Sequence, residues 1–251
     1  MQGHVADPPT LRYYHGLERI RYVGSWLVTF AATIVFGAVG ILVSFVDPHG
    51  KLTHTCARWW GRAFLWICGI DLEIEGRERI DPEAAYVFVA NHQSALDIPA
   101  LLVALPSAFR MLAKSSLFRI PFMGWYMARV GYVPIDRSDP RRAVKNLGLA
   151  ADSLGRGTSM LVFAEGTRTP EGQLARFKTG GFHLARSSGL PVVPVALINS
   201  GRLLPSGGLW PDPGVIQVRI GAPVATENEA SSRQLAELVH ARVSELSRPR
   251  A

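Results

Sequence analysis

Tyr86-Val-Phe-Val-Ala-Asn-His-Gln-Ser-Ala-Leu-Asp97 decides how this chain of 251 residues folds. Its first five residues are an unbroken apolar run, the pattern of a strand buried on both faces. A polar turn follows, and helical periodicity then takes over across Ser94–Val103. The turn carries an imidazole and a carboxylate five residues apart. On one continuous helix such residues sit about 140° apart around the axis, so His92 and Asp97 meet only if His92 lies in the turn and Asp97 in the first helical turn. A histidine at the end of a strand, with a carboxylate to fix its tautomer, is suited to taking a proton from a hydroxyl. The same letters carry a plainer reading. Ser94-Ala-Leu-Asp97 ahead of Ile98 fits a capping box, in which Asp97 would only reach back to the backbone N–H of Ser94.

Outward from this unit, short β-type runs alternate with helical ones. The strands are expected at Leu72–Glu75, Tyr86–Ala90, Phe109–Leu112, Tyr132–Ile135, Met160–Phe163, Val192–Ile198 and Val215–Ile220. Helices are expected at Ser94–Val103, Leu117–Ala128, Arg141–Leu154, Gly181–Ser187 and Ser231–Leu246. The alternation implies an α/β class: a mostly parallel or mixed sheet of about seven strands, covered by helices, over residues 71–251. In such sheets, sites form at the carboxyl ends of strands.

A second polar turn follows the run Met160–Phe163. In Glu165-Gly-Thr-Arg168 the glycine lets backbone approach an anion, and the guanidinium is built to grip a phosphate with two parallel hydrogen bonds; a solvated surface turn would read the same way. Glu165 reads as an organiser of the loop. Asn91 either orients its turn or supplies an N–H to an oxyanion. Lys178, near the glycines that open the next helix, suits phosphate at a helix N-terminus or plain solvation. Pro194 in Val193-Pro-Val195 is expected to shape a wall of the site. A Gly-x-Ser-x-Gly elbow is missing, so a hydrolase with its own nucleophile would have to use Ser94.

Taken in order, Asn91–Asp97, Gly131-Tyr-Val-Pro-Ile-Asp-Arg137, Phe163–Arg168, Phe177-Lys178 and Val193–Val195 resemble the sequence blocks of the glycerolipid acyltransferases, which act on glycerol-3-phosphate and 1-acylglycerol-3-phosphate. The resemblance spans about residues 72–221 and implies a glycerol-3-phosphate acyltransferase-like fold. It implies His92 as general base and Asp97 as its partner, with Gly166, Arg168 and Arg137 binding the acceptor phosphate and Thr167 shaping that loop. One departure is Ala164, where the family often has proline. Lys114-Ser-Ser-Leu117, with Pro121, Gly124 and Gly131, resembles the second block of the 1-acylglycerol-3-phosphate enzymes, which implies lysophosphatidic acid as acceptor. Glycerol-3-phosphate, another lysophospholipid or a lyso-aminolipid remain open, as do a lipid hydrolase and a non-catalytic membrane module. The co-substrate implied is a thioester, acyl-CoA or acyl carrier protein. No metal or other cofactor is expected.

Hydrophobic residues make up 48% of the chain and its formal charge is +7. Both suit contact with an anionic lipid surface. No nucleic-acid module is present, and the arginines are scattered, so nucleic acid is not an expected partner. Cys56 and Cys68, twelve residues apart on one helical-looking segment, would lie about 18 Å apart. A disulfide is therefore not expected.

Residues 1–70 read as a two-helix membrane-associating segment. Val23–Phe45 has no charge over 23 residues, enough to extend about 34 Å and cross a bilayer core. It ends at a helix stop rather than a small-residue cleavage site. Next, Lys51, His54, Arg58 and Arg62 recur along one expected helical face, with Trp60, Phe64 and Ile67 on another. That suits a helix lying among headgroups, cations toward lipid. Returning through the bilayer would cost about 2.5–3.5 kcal/mol for each arginine near the midplane. Equal cations flank the apolar run, so the expectation is anchoring in one leaflet at the cytoplasmic face of the inner (plasma) membrane, with a single span as the alternative.

Overall fold

The computed structural model describes residues 16–47, 50–135, 158–227 and 231–249. Arg137 and the helix expected at Arg141–Leu154 lie outside them. Two helices come first, α1 (Gly16–Val43) and α2 (Lys51–Ile67), and a sheet follows. Its strands are β1 (Ile70–Glu75), β2 (Val87–Ala90), β3 (Phe109–Lys114), β4 (Val133–Ile135), β5 (Ser159–Phe163), β6 (Val192–Ile198) and β7 (Gly214–Ile220). Between and after them lie α3 (Asp97–Ala104), α4 (Met123–Arg129), α5 (Gly180–Ser188), the single turn α6 (Ser200–Leu203) and α7 (Ser232–Leu246). All seven expected strands form, within a residue or two of their expected ends.

The strands lie in the order β1-β7-β6-β2-β5-β3-β4. Every neighbouring pair is parallel except β6 and β7. Strand β2 is central, with Ala90 beside Phe163 of β5 and Val195 of β6. All four of its residues are fully buried, which explains the continuous rather than alternating apolar pattern. Alternate strand residues feed two layers. Phe88, Ala90, Val193, Val195 and Leu197 pack with α2, α3 and α4. Val87, Val89, Val192 and Ala196 pack with α5 and α7.

Helix α1 does not stand clear of this body. Its inward side is a row of small and hydroxylic residues. Thr33 accepts a hydrogen bond from Trp60 Nε1 of α2 (3.1 Å), and Ser44 accepts one from Arg129 Nε at the end of α4 (3.0 Å). Glycine is needed between them, since a Cβ at Gly40 would come within 2.6 Å of the Tyr126 ring and one at Gly37 within 3.1 Å of Phe122. The opposite side of α1 is apolar and exposed, including Leu27, Phe30 and Leu42. Over Val23–Val43 the helix is long and apolar enough to cross a membrane.

The stripe of cations on α2 is corrected by the structure. His54 is 2% exposed and meets the Phe109 ring edge-on. Burial, with Arg58 and Arg110 nearby, pushes its pKa down to about 3, so it packs as a neutral ring. Arg58 turns toward α3 and donates to the carbonyls of Leu102, Leu105 and Pro106. It thereby satisfies the orphan carbonyls at the end of α3. Lys51 pairs with Glu83. What α2 exposes instead is Leu52, Trp59, Arg62 and Trp66, with the Arg62 guanidinium over the Trp59 ring at 5.0 Å.

The helix expected at Leu117–Ala128 is broken. A 3-10 turn over Ser115–Arg119 ends at Ile120-Pro121-Phe122, and α4 starts at Met123. Proline disfavours helix in the residue before it and has no N–H to continue the ladder. Phe122 adopts φ 62, ψ −57, and Met123 N–H donates to Pro121 O at 2.7 Å, closing a strained γ-turn.

Candidate active site

His92 leaves the end of β2 inside a turn tied down by hydrogen bonds from its backbone and from Asp97. Its ring lies flat on Phe163, the residue beside Ala90 at the end of β5, with centroids 4.0 Å apart and planes 19° apart. His92 Nδ1 is 2.7 Å from Asp97 Oδ2. That same oxygen accepts the backbone N–H of Gln93 (2.8 Å) and of Ser94 (2.9 Å). The capping contact and the imidazole contact are therefore one device. Because Asp97 ties back Gln93 and Ser94, α3 begins at Asp97 rather than Ser94.

The imidazole is 6% exposed and Asp97 fully buried. An ionised carboxylate only accepts hydrogen bonds, so Nδ1 carries the proton given to Asp97. Nε2 is left with its lone pair, and it has no hydrogen-bond partner among the described residues. This is the tautomer that a general base requires.

The backbone of the histidine is held with equal care. His92 N–H donates to Glu165 Oε1 (2.8 Å), and His92 O accepts from Thr169 N–H (2.8 Å). The other oxygen, Glu165 Oε2, accepts from Thr169 Oγ1 (2.9 Å) and Ala175 N–H (2.8 Å). Glu165 thus joins the loop after β5 to the loop after β2, in keeping with an organising role. Gly166 has φ +77, and a Cβ there would fall 2.7 Å from Lys178 Nζ. Glycine alone permits both the left-handed backbone and the lysine passing over it. Thr167, Arg168 and Lys178 are exposed around this turn, and Lys114 is exposed at the carboxyl end of β3.

One expectation changes here, Pro194, and two open readings, Asn91 and Ser94, are narrowed. Asn91 orients its turn: its side-chain amide donates to Leu197 O (2.8 Å) and accepts from Leu197 N–H (2.8 Å), clipping the end of β2 to β6. Pro194 does not line the His92 side. It sits on β6 in the layer of Val192 and Ala196, where a Cβ at Gly221 would meet its ring at 2.7 Å. Ser94 is fully buried and its hydroxyl donates to Leu204 O (2.9 Å), which removes it as a nucleophile.

The sequence reading missed Gln93 and Glu171. Glu171 accepts the N–H groups of Asn199 (2.9 Å) and Gly201 (2.8 Å), tying the Arg168 loop to the turn after β6. Gln93, with its amide oriented to satisfy both ends, donates to Glu171 at 3.0 Å and accepts from Gly172 N–H at 3.2 Å. Both contacts join residues far apart in sequence, so no local pattern announced them.

An apolar cavity of about 410 Å³ opens beside the histidine turn. Ala95 of that turn and Arg168 border it, and Trp60, Phe64, Met111 and Met123 are among its walls, with Phe36 and Gly37 of α1 closing one side. Trp125 of α4 is exposed. The arrangement holds a proton acceptor between an apolar slot and an anion-ready turn. It suits attack by a hydroxyl of a phosphorylated molecule on a carbonyl that carries a long apolar chain.

Residues 71–198 match the acyltransferase family model. The chain is 35% identical to a 1-acyl-sn-glycerol-3-phosphate acyltransferase of Pseudomonas aeruginosa, over 88% of this chain and 87% of that one. A chloroplast 1-acyl-sn-glycerol-3-phosphate acyltransferase of Arabidopsis thaliana is 38% identical over 66% of this chain, which spans 46% of that longer protein. Among solved structures, the 1-acyl-sn-glycerophosphate acyltransferase PlsC of Thermotoga maritima superposes with a TM-score of 0.80 at 27% identity, covering 90% of this chain and 93% of that one. A family match over half the chain, and a bacterial relative aligned along nearly its whole length, make this chain a member of the acyltransferase family.

Proposed function

We propose that the chain transfers an acyl group from a thioester, acyl-CoA or acyl carrier protein, to the sn-2 hydroxyl of 1-acyl-sn-glycerol-3-phosphate (lysophosphatidic acid), forming phosphatidic acid in phospholipid synthesis. The observation that carries this reading is the Nε2 of His92, without a partner among the described residues and with its ring oriented by Asp97, in a turn that borders, through Ala95, an apolar cavity also bordered by Arg168. His92 Nε2 takes the proton of the acceptor hydroxyl as that oxygen attacks the thioester carbonyl. The tetrahedral adduct collapses, the C–S bond breaks, and the imidazolium returns the proton to the leaving sulfur. Asp97 stabilises the transient cation. The proton stays within the pair of substrates and His92, so the reading calls for no metal or redox group.

Arg168, Gly166 and Lys178 form the acceptor-phosphate site in this reading, joined by Arg137 on the strength of its sequence block. Lys114 and Thr167 shape its rim. Arg168→Ala is expected to raise the KM for lysophosphatidic acid by roughly 10- to 100-fold, the equivalent of about 1.5–3 kcal/mol for a charge-assisted contact. The KM for the thioester should move little. Steady-state kinetics with each substrate varied in turn reads the difference, and equal effects on both would take Arg168 out of the acceptor site.

Residues 1–70 form the membrane-associating segment of this reading and 71–251 the acyltransferase domain. The exposed apolar side of α1, with Trp59, Arg62 and Trp66 of α2, lies in the lipid of one leaflet at the cytoplasmic face of the plasma membrane, and membrane phospholipids are its partners. In a background with Cys56 and Cys68 replaced, cysteines placed at positions 4 and 173 should both react with an impermeant thiol reagent only once the cytoplasmic face is opened. Labelling of position 4 alone from outside intact cells would establish a true span instead.

A further inference from the structure

On the far layer of the sheet, a groove of about 830 Å³ runs between the segment 174–179 and helix α7. Arg176, Lys178 and Arg233 line it, against one carboxylate, Glu237, which pairs with Arg233 at 3.2 Å. Leu174, Phe177 and Ala236 supply apolar surface, and the His240 ring meets Phe177 edge-on at 4.9 Å. Helix α5 starts at this groove: Thr179 lines it, and the N–H groups of Gly180 and Gly181 that follow have no partner within the helix, whereas those of Phe182 and His183 donate to Thr179 O. Cations and a helix N-terminus together make a site for phosphate.

Lys178 connects this groove to the catalytic turn. It lines the groove, yet its side chain passes over Gly166, two residues from Arg168. The acyl cavity lies on the other layer, among α1, α2, α3 and α4. In the proposed reaction the chain of the donor occupies that cavity and the acceptor phosphate occupies the Gly166 turn. The part of the substrates still without a place is the group on the leaving sulfur.

The geometry points to the groove as the binding site for a phosphorylated nucleotide carried by the leaving thiol, which makes the donor an acyl-CoA. This rests on the acyl-transfer reading of the His92 site and deepens it. A concave site within the usual small-molecule range of about 300–1,000 Å³ suits a nucleotide, with phosphates on Arg176 and Arg233 and the base on the apolar floor. A carrier protein would instead need a broad patch of about 800 Å² on each partner.

The test uses the full chain in detergent micelles and the double variant Arg176→Ala/Arg233→Ala, both positions exposed and outside the catalytic turn. Binding of free CoA and of pantetheine, which lacks the nucleotide, is measured by calorimetry. KM values are then taken for acyl-CoA, S-acyl-pantetheine, acyl carrier protein and lysophosphatidic acid. The wild type should bind CoA more tightly than pantetheine. In the double variant, the Kd for CoA and the KM for acyl-CoA should rise about 10-fold or more, as expected for lost charge-assisted contacts. The values for S-acyl-pantetheine and lysophosphatidic acid should hold.

Unchanged CoA binding, or equal loss with S-acyl-pantetheine, overturns the assignment. A rise confined to acyl carrier protein also overturns it and makes the groove a protein-docking surface. If CoA binds through these arginines while no phosphatidic acid forms, the groove assignment stands and the acceptor reading alone fails.

Discussion

His92→Ala should lower turnover by about 10²–10⁴, the usual effect of losing a positioned general base. The chemistry depends on one atom, Nε2, the nitrogen of the His92 ring that has no partner among the described residues. The fold should survive, because the contacts that hold this turn are made by backbone: His92 N–H to Glu165, His92 O to Thr169, and the Gln93 and Ser94 N–H groups to Asp97. None of these is removed by the substitution. The side chain lost is a ring stacked on Phe163, so some stability goes with it, and thermal melting by circular dichroism sets the temperature at which turnover is compared. Near-normal turnover of the folded variant would end the general-base account.

Asp97→Asn separates the two jobs that one carboxylate performs. An asparagine oxygen can still accept from the Gln93 and Ser94 N–H groups, and since a charge-assisted hydrogen bond exceeds a neutral one by about 1 kcal/mol, stability should fall by only about that much. The imidazole contact is different. A neutral amide neither enforces the Nδ1–H tautomer nor stabilises an imidazolium, and a similar exchange in the serine-protease triad costs about 10⁴ in turnover. A fall of about 10²–10⁴ in turnover with a near-normal melting curve is therefore expected. Reduced stability with turnover per folded molecule intact would leave Asp97 as a cap and nothing more.

These two residues also show how far the sequence could be read. The strand, turn and helix around them were legible because burial on both faces leaves an unbroken apolar run, as it also does in β5 and β6, whereas β1 and β7 show themselves by apolar residues alternating with polar ones. The sequence posed a choice between cap and catalytic partner for Asp97. The structure dissolves it, since a single oxygen serves His92, Gln93 and Ser94.

What escaped local reading depends on neighbours distant in the chain. The spacing of Arg58 and His54 suggested a face toward lipid, yet the unsatisfied carbonyls at the end of α3 draw Arg58 inward, and His54 fills space against Phe109. Pro194 lies in a sequence block and still points to the layer away from His92, because strand residues alternate sides. Glu165 was legible as a loop organiser, but its hold on the backbone of His92 spans 73 positions and has no local signature. The helix at Leu117–Ala128 was misjudged for a local reason, Pro121, whose effect on Ile120 outweighs the apolar periodicity around it.

The most direct measurement supplies one labelled acyl-CoA to the purified chain in mixed micelles, with equal amounts of lysophosphatidic acid, glycerol-3-phosphate and an uncharged-headgroup lysolipid competing as acceptors. Lipid separation then shows where the label goes. The account predicts that it accumulates in phosphatidic acid, and that this product disappears in His92→Ala. Label released mainly as free fatty acid, or esterified to another acceptor while lysophosphatidic acid stays unmodified, would contradict it.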